Sequence, residues 1–203
     1  MESARFIRQY PVRSFSKGEV LFSEGDSPTS LLALRRGFVK VTSLDDDGNE
    51  RLIWIAGRYD LAPTEQLFTS VPLNFFYTAL SDGEAYEVNK QEFITTAKAD
   101  LSFLADVAST MGHHYSDLLE RIDTMGKSTI RAKLIATLRY LAKRFGTGED
   151  IDLYGIGLEL TQQDFAEMIG STRETTSVEL HKLREEGFIN YGRSHFVILN
   201  KEL

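Results

Sequence analysis

Residues 160–191, LTQQDFAEMIGSTRETTSVELHKLREEGFINY, decide how the rest of the chain is read. Thr161 suits a helix N-cap, and Asp164 three residues on completes a capping box of the Ser/Thr-x-x-Asp/Glu kind. Phe165, Met168 and Ile169 then form an apolar stripe at helical spacing. Gly170 breaks the helix. Thr172 caps a second helix whose Thr176, Leu180 and Leu183 recur on one inward face, and Gly187 ends it. The stretch therefore predicts two short helices joined by a tight turn, running into an extended hairpin.

The outward face of the second helix carries Arg173, Glu174, Ser177, Val178 and His181. Arginine can fork onto guanine and glutamate can accept from cytosine N4. Serine bonds either way, and valine can touch a thymine methyl. A helix-turn-helix needs such groups in the first turns of its second helix, because that end meets the base edges. A plain helical hairpin with a solvated polar face fits the same periodicity.

The run Gly170-Ser171-Thr172-Arg173-Glu174-Thr175, with Leu180, Lys182-Leu183 and Gly187-Phe188-Ile189, resembles the DNA-binding domain of the Crp/Fnr family of bacterial transcription regulators. The family pattern is a small polar residue, Arg, Glu and Thr, then an apolar-periodic helix and a Gly-apolar-Ile start to the wing. The resemblance extends, more weakly, over the whole chain. It implies Arg173, Glu174, Ser177 and Val178 as base readers of double-stranded DNA. Thr161, Gln163, Thr172 and Thr175 are the expected phosphate binders, because helix N-termini present hydroxyls and free amides to anions. Relatives often place a guanine-gripping arginine where this chain has Val178, so its half-site should differ, with A·T favoured there.

At 203 residues the chain can hold one large or two small domains. A hydrophobic content of 42% suits an ordinary soluble protein, and no run approaches a membrane span. The start, MESARFIRQYPVR, lacks the apolar core of a signal peptide, so a cytoplasmic protein is expected. The absence of cysteine excludes disulfides, thiol redox sensing, and Cys-ligated zinc or iron–sulfur clusters. A net charge of −7 runs against nucleic-acid binding. DNA contact must then rest on a local basic surface, with a steep salt dependence.

Residues 13–100 read mostly as short strands separated by turns such as Lys17-Gly18-Glu19, Glu24-Gly25-Asp26, Asp45-Asp46-Asp47-Gly48 and Ser81-Asp82-Gly83. Regular short strands imply a sandwich or barrel. With Arg36-Gly37-Phe38-Val39-Lys40-Val41 they look like the β-roll of cyclic-nucleotide-binding-type sensors. From Leu101 onward, Leu104, Ala108, Met111, Tyr115, Leu118, Ile122 and Met125 alternate steps of three and four. That is the seam of a two-stranded coiled coil. A core helix packed on its own domain is the alternative. The resemblance implies dimerisation through this helix. Gly126 and Ser128 break it. Ile130 to Phe145 then form another amphipathic helix, whose other face carries Lys127, Arg131, Lys133, Arg139, Lys143 and Arg144. Gly146 and Gly148 end it, residues 151–160 are extended by composition, and Phe188–Tyr191 and His195–Leu199 flank Gly192-Arg193-Ser194 as a β-wing.

Relatives that bind cyclic nucleotides hold the phosphate with a Gly-Glu and a following Arg. The equivalent stretch here has Pro63-Thr64-Glu65, and no Arg between Arg58 and Phe75. A buried phosphate would lack its cation. Phe68, Phe75, Phe76 and Tyr77 could line an apolar pocket or simply be core. The β-roll has no histidine. His113 and His114, on the central helix, read as partly exposed, with His114 the candidate for haem or proton sensing.

The expectation is an α+β protein. It has an N-terminal β-roll over residues 1–100 (a jelly-roll-like double-stranded β-helix), a dimerisation helix over 101–126, and a winged helix-turn-helix over 127–203. Its function would be that of a homodimeric regulator reading a palindromic site, under an effector other than a cyclic nucleotide, with no cofactor or metal, no membrane partner and no enzyme activity. The resemblance also implies contact with RNA polymerase, for which the acidic tip Asp45-Asp46-Asp47 is a candidate. The rivals are the same fold acting without effector, and a β-roll enzyme with a vestigial helix-turn-helix.

Overall fold

The computed structural model describes residues 2–69, 71–146, 154–192 and 196–199. A short helix α1 (Glu2–Ile7) precedes strands β1 (Val12–Phe15), β2 (Val20–Phe22), β3 (Ser30–Arg36), β4 (Val39–Leu44), β5 (Glu50–Ala56), β6 (Leu61–Ala62), β7 (Phe76–Ala79) and β8 (Gly83–Asn89). Helices α2 (Lys90–Ala99), α3 (Leu101–Met125) and α4 (Ile130–Phe145) follow. The chain closes with β9 (Tyr154–Gly155), α5 (Gln162–Ile169), α6 (Arg173–Glu185), β10 (Ile189–Tyr191) and β11 (Phe196–Ile198). Two compact units result, Met1–Asn49 with Ile53–Asp117 and Glu50–Leu52 with Leu118–Leu203, and α3 contributes residues to both. No helix among the described residues is long and apolar enough to cross a membrane.

The β-roll consists of two four-stranded sheets, ordered β1-β8-β3-β6 and β2-β7-β4-β5. Strand β3 shows why. Its run Leu31-Leu32-Ala33-Leu34 is buried on both faces, so it reads as continuous apolar sequence rather than an alternation. Leu32 and Leu34 point between the sheets, among Phe15, Val39, Val41, Trp54 and Tyr77. Leu31 and Ala33 point outward to a second core with Phe93, Ala97, Phe103 and Val107 of the helices. The turn at Gly37 requires glycine. Its φ is +83°, and a Cβ would meet the Asp82 carbonyl oxygen at 2.7 Å.

Two helices depart from the strand reading of the first hundred residues. Asn89 caps α2 by accepting from the Glu92 amide at 3.0 Å, and Phe93 and Ala97 bury one face. Two apolar anchors four residues apart are a faint periodic signal, which is why the capping pair is the better clue. Helix α1 is held by the Ser3 hydroxyl on Asp106 at 3.2 Å and by Phe6 edge-on to Phe103 at 5.3 Å.

Helix α3 is continuous for 25 residues, and it turns a second stripe toward its own chain. Phe103, Val107, His114, Arg121 and Thr124 are buried. The heptad seam points elsewhere: Leu104, Ala108, Met111, Tyr115, Leu118, Ile122 and Met125 are all exposed, Tyr115 by 64% and Ile122 by 67%. The alternative of a helix packed on its own domain through that seam therefore fails.

His114 corrects the reading of two partly exposed histidines. His113 is exposed, but His114 is buried. Its ring lies 4.6 Å from the Trp54 ring, its Nε2 is 2.8 Å from Asp60 Oδ1, and its Nδ1 is 3.3 Å from Thr64 Oγ1. Thr64 donates its one hydroxyl proton to the Leu61 carbonyl, so toward His114 it accepts. Both ring nitrogens are engaged, which leaves none open to a haem iron.

Candidate nucleic-acid interface

The second unit positions the helix-turn-helix by local rules. Thr161 and Asp164 form a reciprocal capping box: the Thr161 hydroxyl oxygen accepts from the Asp164 amide at 3.1 Å, and Asp164 accepts from the Thr161 amide at 2.7 Å. Gly170 takes a left-handed φ of 63° and ends α5, with the Ser171 amide returning to the Ala166 carbonyl at 3.0 Å. Thr172 caps α6 by accepting from the Thr175 amide at 3.2 Å. Thr176, Leu180 and Leu183 are fully buried, against the apolar faces of α4 and α5.

That inward face fixes the outward one. Arg173, Glu174 and Val178 are exposed, Val178 by 54%, and Ser177 is half-buried between them. Arg173 has no ion-pair partner among the described residues. It borders a hollow shared with Thr161, Gln163, Tyr191 and Phe196, where the start of α5, the start of α6 and the wing converge. Tyr191 stacks on Phe196 at 5.0 Å, and Phe196 packs on Phe165 at 4.6 Å, so α5 braces the wing. β10 and β11 pair through Tyr191↔Phe196, Asn190↔Val197 and Ile189↔Ile198. The wing residues Arg193, Ser194 and His195, like Gly148 and residues 151–153, lie outside the described residues.

The four residues expected at phosphates sit at the helix starts, with different freedom. Thr161 donates its hydroxyl proton to Asp164 at 2.6 Å, so that proton is engaged in the cap. Thr172 donates to Thr175 Oγ1 at 3.0 Å, which leaves the Thr175 proton to point outward. Gln163 is exposed and donates to Glu167 at 3.1 Å.

Three features were missed from sequence. Tyr191 and Phe196 shape the hollow beside Arg173, and only their aromatic character hinted at it. Arg121 is buried, with Nη2 donating to the Met168 carbonyl at 2.6 Å near the end of α5. Burial lowers its pKa, with the neighbouring Tyr140 opposing that. An arginine off the seam of an amphipathic helix was the available signal. The basic face of α4 is largely paired: Arg131 meets Glu186 at 3.0 Å and Lys143 meets Glu120 at 2.9 Å.

In the β-roll, a single 3-10 turn over Thr64–Gln66 stands where relatives hold a phosphate. Glu65 accepts from the Tyr77 hydroxyl at 2.5 Å. Burial, together with the Glu65 charge, raises the Tyr77 pKa far above its ordinary value. Lys90 donates to Gln66 Oε1 at 2.8 Å. Tyr77 is core and Phe75 packs against that core, while Phe68 is exposed, so these aromatics do not line an empty pocket.

The chain matches the model of the Crp-like helix-turn-helix domain over residues 132–203 and that of the cyclic nucleotide-binding domain over residues 12–100. It is 27% identical over 191 residues to the anaerobic regulatory protein of Bacillus subtilis, covering 93% of this chain and 79% of that one. It is 25% identical over 203 residues to a CRP-like cAMP-activated global transcriptional regulator of Mycobacterium tuberculosis, covering 98% and 88%. In fold it is similar to FixK2 of Bradyrhizobium japonicum, with a TM-score of 0.81 at 17% identity over 95% of this chain and 94% of that one. The two matched domains, in this order and joined by the long helix, place the chain in the Crp/Fnr family of transcription regulators, with a helix-turn-helix for binding DNA.

Proposed function

We propose that the protein works in the cytoplasm as a homodimer that reads a palindromic operator. Residues 1–100 serve as sensor, 101–126 as dimerisation helix and 127–203 as DNA-binding domain. The observation that carries this is the division of labour on α6. Its inward face is fully buried while Arg173, Glu174 and Val178 stay in solvent at the end that meets base edges. Ser177 reads bases beside them, and Gln163, Thr172 and Thr175 hold phosphates, while Thr161, whose amide and hydroxyl are both engaged by Asp164, sets the start of α5 beside them. The exposed seam of α3, from Leu104 to Met125, supports the dimer, because so many large apolar side chains in one line need a partner surface.

Selection of binding sites from random DNA with the full chain tests the reading. An enriched palindrome with half-sites about one helical turn, ~34 Å, apart supports it. Enrichment of an asymmetric single site, or of nothing, refutes it.

A cyclic nucleotide is not the effector in this reading. The phosphate position lacks an arginine and carries the Glu65 carboxylate, already bonded to Tyr77. Trp54 and the Asp60–His114 pair fill the space between roll and helix. That filling favours a second reading, the same regulator working without any ligand inside the roll. No enzyme activity is part of either reading.

A further inference from the structure

A cavity of about 400 Å³ lies on the outer face of the β1-β8-β3-β6 sheet, on the opposite side from the filled interior of the roll. Its apolar wall comes from Ile7 of α1, Ala33 of β3, Leu61 of β6 and Val107 of α3. Its polar wall comes from Arg8, Arg35 and Arg58. The volume falls in the range of small-molecule sites, and an apolar floor with a few converging polar groups is their usual make-up.

The charge is what selects the ligand. Arg35 is paired with Glu84 at 3.2 Å. Arg8 and Arg58 have no carboxylate partner among the described residues, in a chain with a net charge of −7. Arg58 lies over the Tyr59 ring at 4.6 Å. Tyr59 is itself unusual. Its φ is +77°, a region costly to a side chain of that size, and its ring is 66% exposed. The strained turn is held by the Tyr59 amide on the Leu34 carbonyl at 2.9 Å. Backbone held in such regions concentrates at ligand clamps. The opposite wall is fixed as well, since Ser3 ties α1 to Asp106 of α3.

We propose that this cavity binds a small organic anion: an apolar, ring-sized body against Ile7, Ala33 and Val107, and a carboxylate or phosphate held by Arg8 and Arg58. This does not rest on the DNA-binding reading, and binding to the full chain is measured directly, so either can fail without the other.

The probe is 1-anilinonaphthalene-8-sulfonate, titrated calorimetrically against the full chain, beside the uncharged N-phenyl-1-naphthylamine. The proposal expects saturable binding of the anion, weakened roughly tenfold or more in Arg58→Ala and in Arg8→Ala, and in the neutral analogue. Ala4→Trp, which fills the cavity from the solvent side of α1, should abolish that binding with the thermal midpoint unchanged. 1-Naphthoate and 1-naphthyl phosphate as competitors then separate carboxylic acids from phosphate esters. Displacement by either supports the site, and displacement by neither overturns it. Absence of binding, equal affinity for the neutral analogue, or unaltered binding in both arginine variants and in Ala4→Trp also overturns it. The last pattern would place the dye on the exposed seam of α3.

Discussion

Thr176→Val is the sharpest test of how α6 sits, because the substitution is nearly isosteric and its sign depends on which way residue 176 faces. Thr176 is fully buried, and its hydroxyl has no hydrogen-bond partner among the described residues. An unpaired buried hydroxyl costs about 1–3 kcal/mol in proteins. Valine keeps the branched shape, and valine and threonine have similar helix propensities, so neither volume nor backbone offsets the gain. The variant should be more stable by ~1 kcal/mol. In a unit of this size that is a rise of roughly 4–8 °C in its unfolding midpoint. Operator affinity should not change, since the side chain is turned from the DNA. Thr137 on α4 is also fully buried with an unpartnered hydroxyl, so Thr137→Val should act with the same sign. The assay is urea and thermal unfolding of the full chain by circular dichroism, alongside titration with a selected operator. A Thr176→Val protein that is folded but has lost operator binding would refute the reasoning. Residue 176 would then face the bases, and Arg173, Glu174, Ser177 and Val178 would be on the wrong side.

Other outcomes follow from the same geometry. Arg173→Ala should cost about 1–3 kcal/mol on the selected site and relax preference at one base pair; equal weakening on random DNA would make it a phosphate contact instead. Val178→Arg should move preference at the facing pair from A·T toward G·C by about 1–3 kcal/mol, and identical selected motifs from the two proteins would show that residue 178 does not reach the bases. Leu118→Glu puts like charges together in the α3 seam and should give a folded monomer without operator binding; sedimentation as a stable dimer counts against the seam. For the acidic hairpin, Asp45 already accepts from the Asp47 and Asn49 amides at 3.1 and 2.9 Å and so builds the turn. The proposed polymerase contact therefore narrows to the exposed Asp46 and Asp47. Changing both to Asn should reduce transcription activation at constant DNA affinity, and unchanged activation removes the idea.

The parts that were legible from sequence obey short-range rules. Thr161 with Asp164, Gly170 in the left-handed region and Thr172 ahead of Arg173 each act within about four residues, so the helix-turn-helix could be read directly. The apolar stripe of α3, which the structure leaves exposed, was legible for the same reason. What escaped depends on partners far away in sequence. His114 looked like a surface histidine because its burial comes from Asp60, Thr64 and Trp54, 50 to 60 residues earlier. Arg121 reads as a solvated charge until α5 brings the Met168 carbonyl to it. The outer cavity combines α1, which was not expected, with side chains from five further elements or turns, and no local pattern announces such a meeting.

The charge distribution changes what the acidic composition means. Residues 1–126 carry 12 basic and 19 acidic side chains, whereas residues 127–203 carry 11 of each. The whole excess thus lies outside residues 127–203, which are neutral rather than basic. Within it, Arg131 pairs with Glu186 and Lys182 with Glu179 at 2.6 Å, while Lys143 pairs with Glu120 of α3. A steep salt dependence presumed a local basic surface, and these pairings argue for a shallower one, because salt release counts the phosphates that lysines and arginines neutralise, and side chains held by carboxylates are less free to do so. In the proposed reading the contacts are then short-range: groups at the starts of α5 and α6, and the Arg173 guanidinium beside them. Contacts of that kind attract arbitrary DNA weakly and reward a matching sequence strongly. Because genomic sites compete in great excess, a low non-specific background raises the specificity ratio as surely as a tighter operator would.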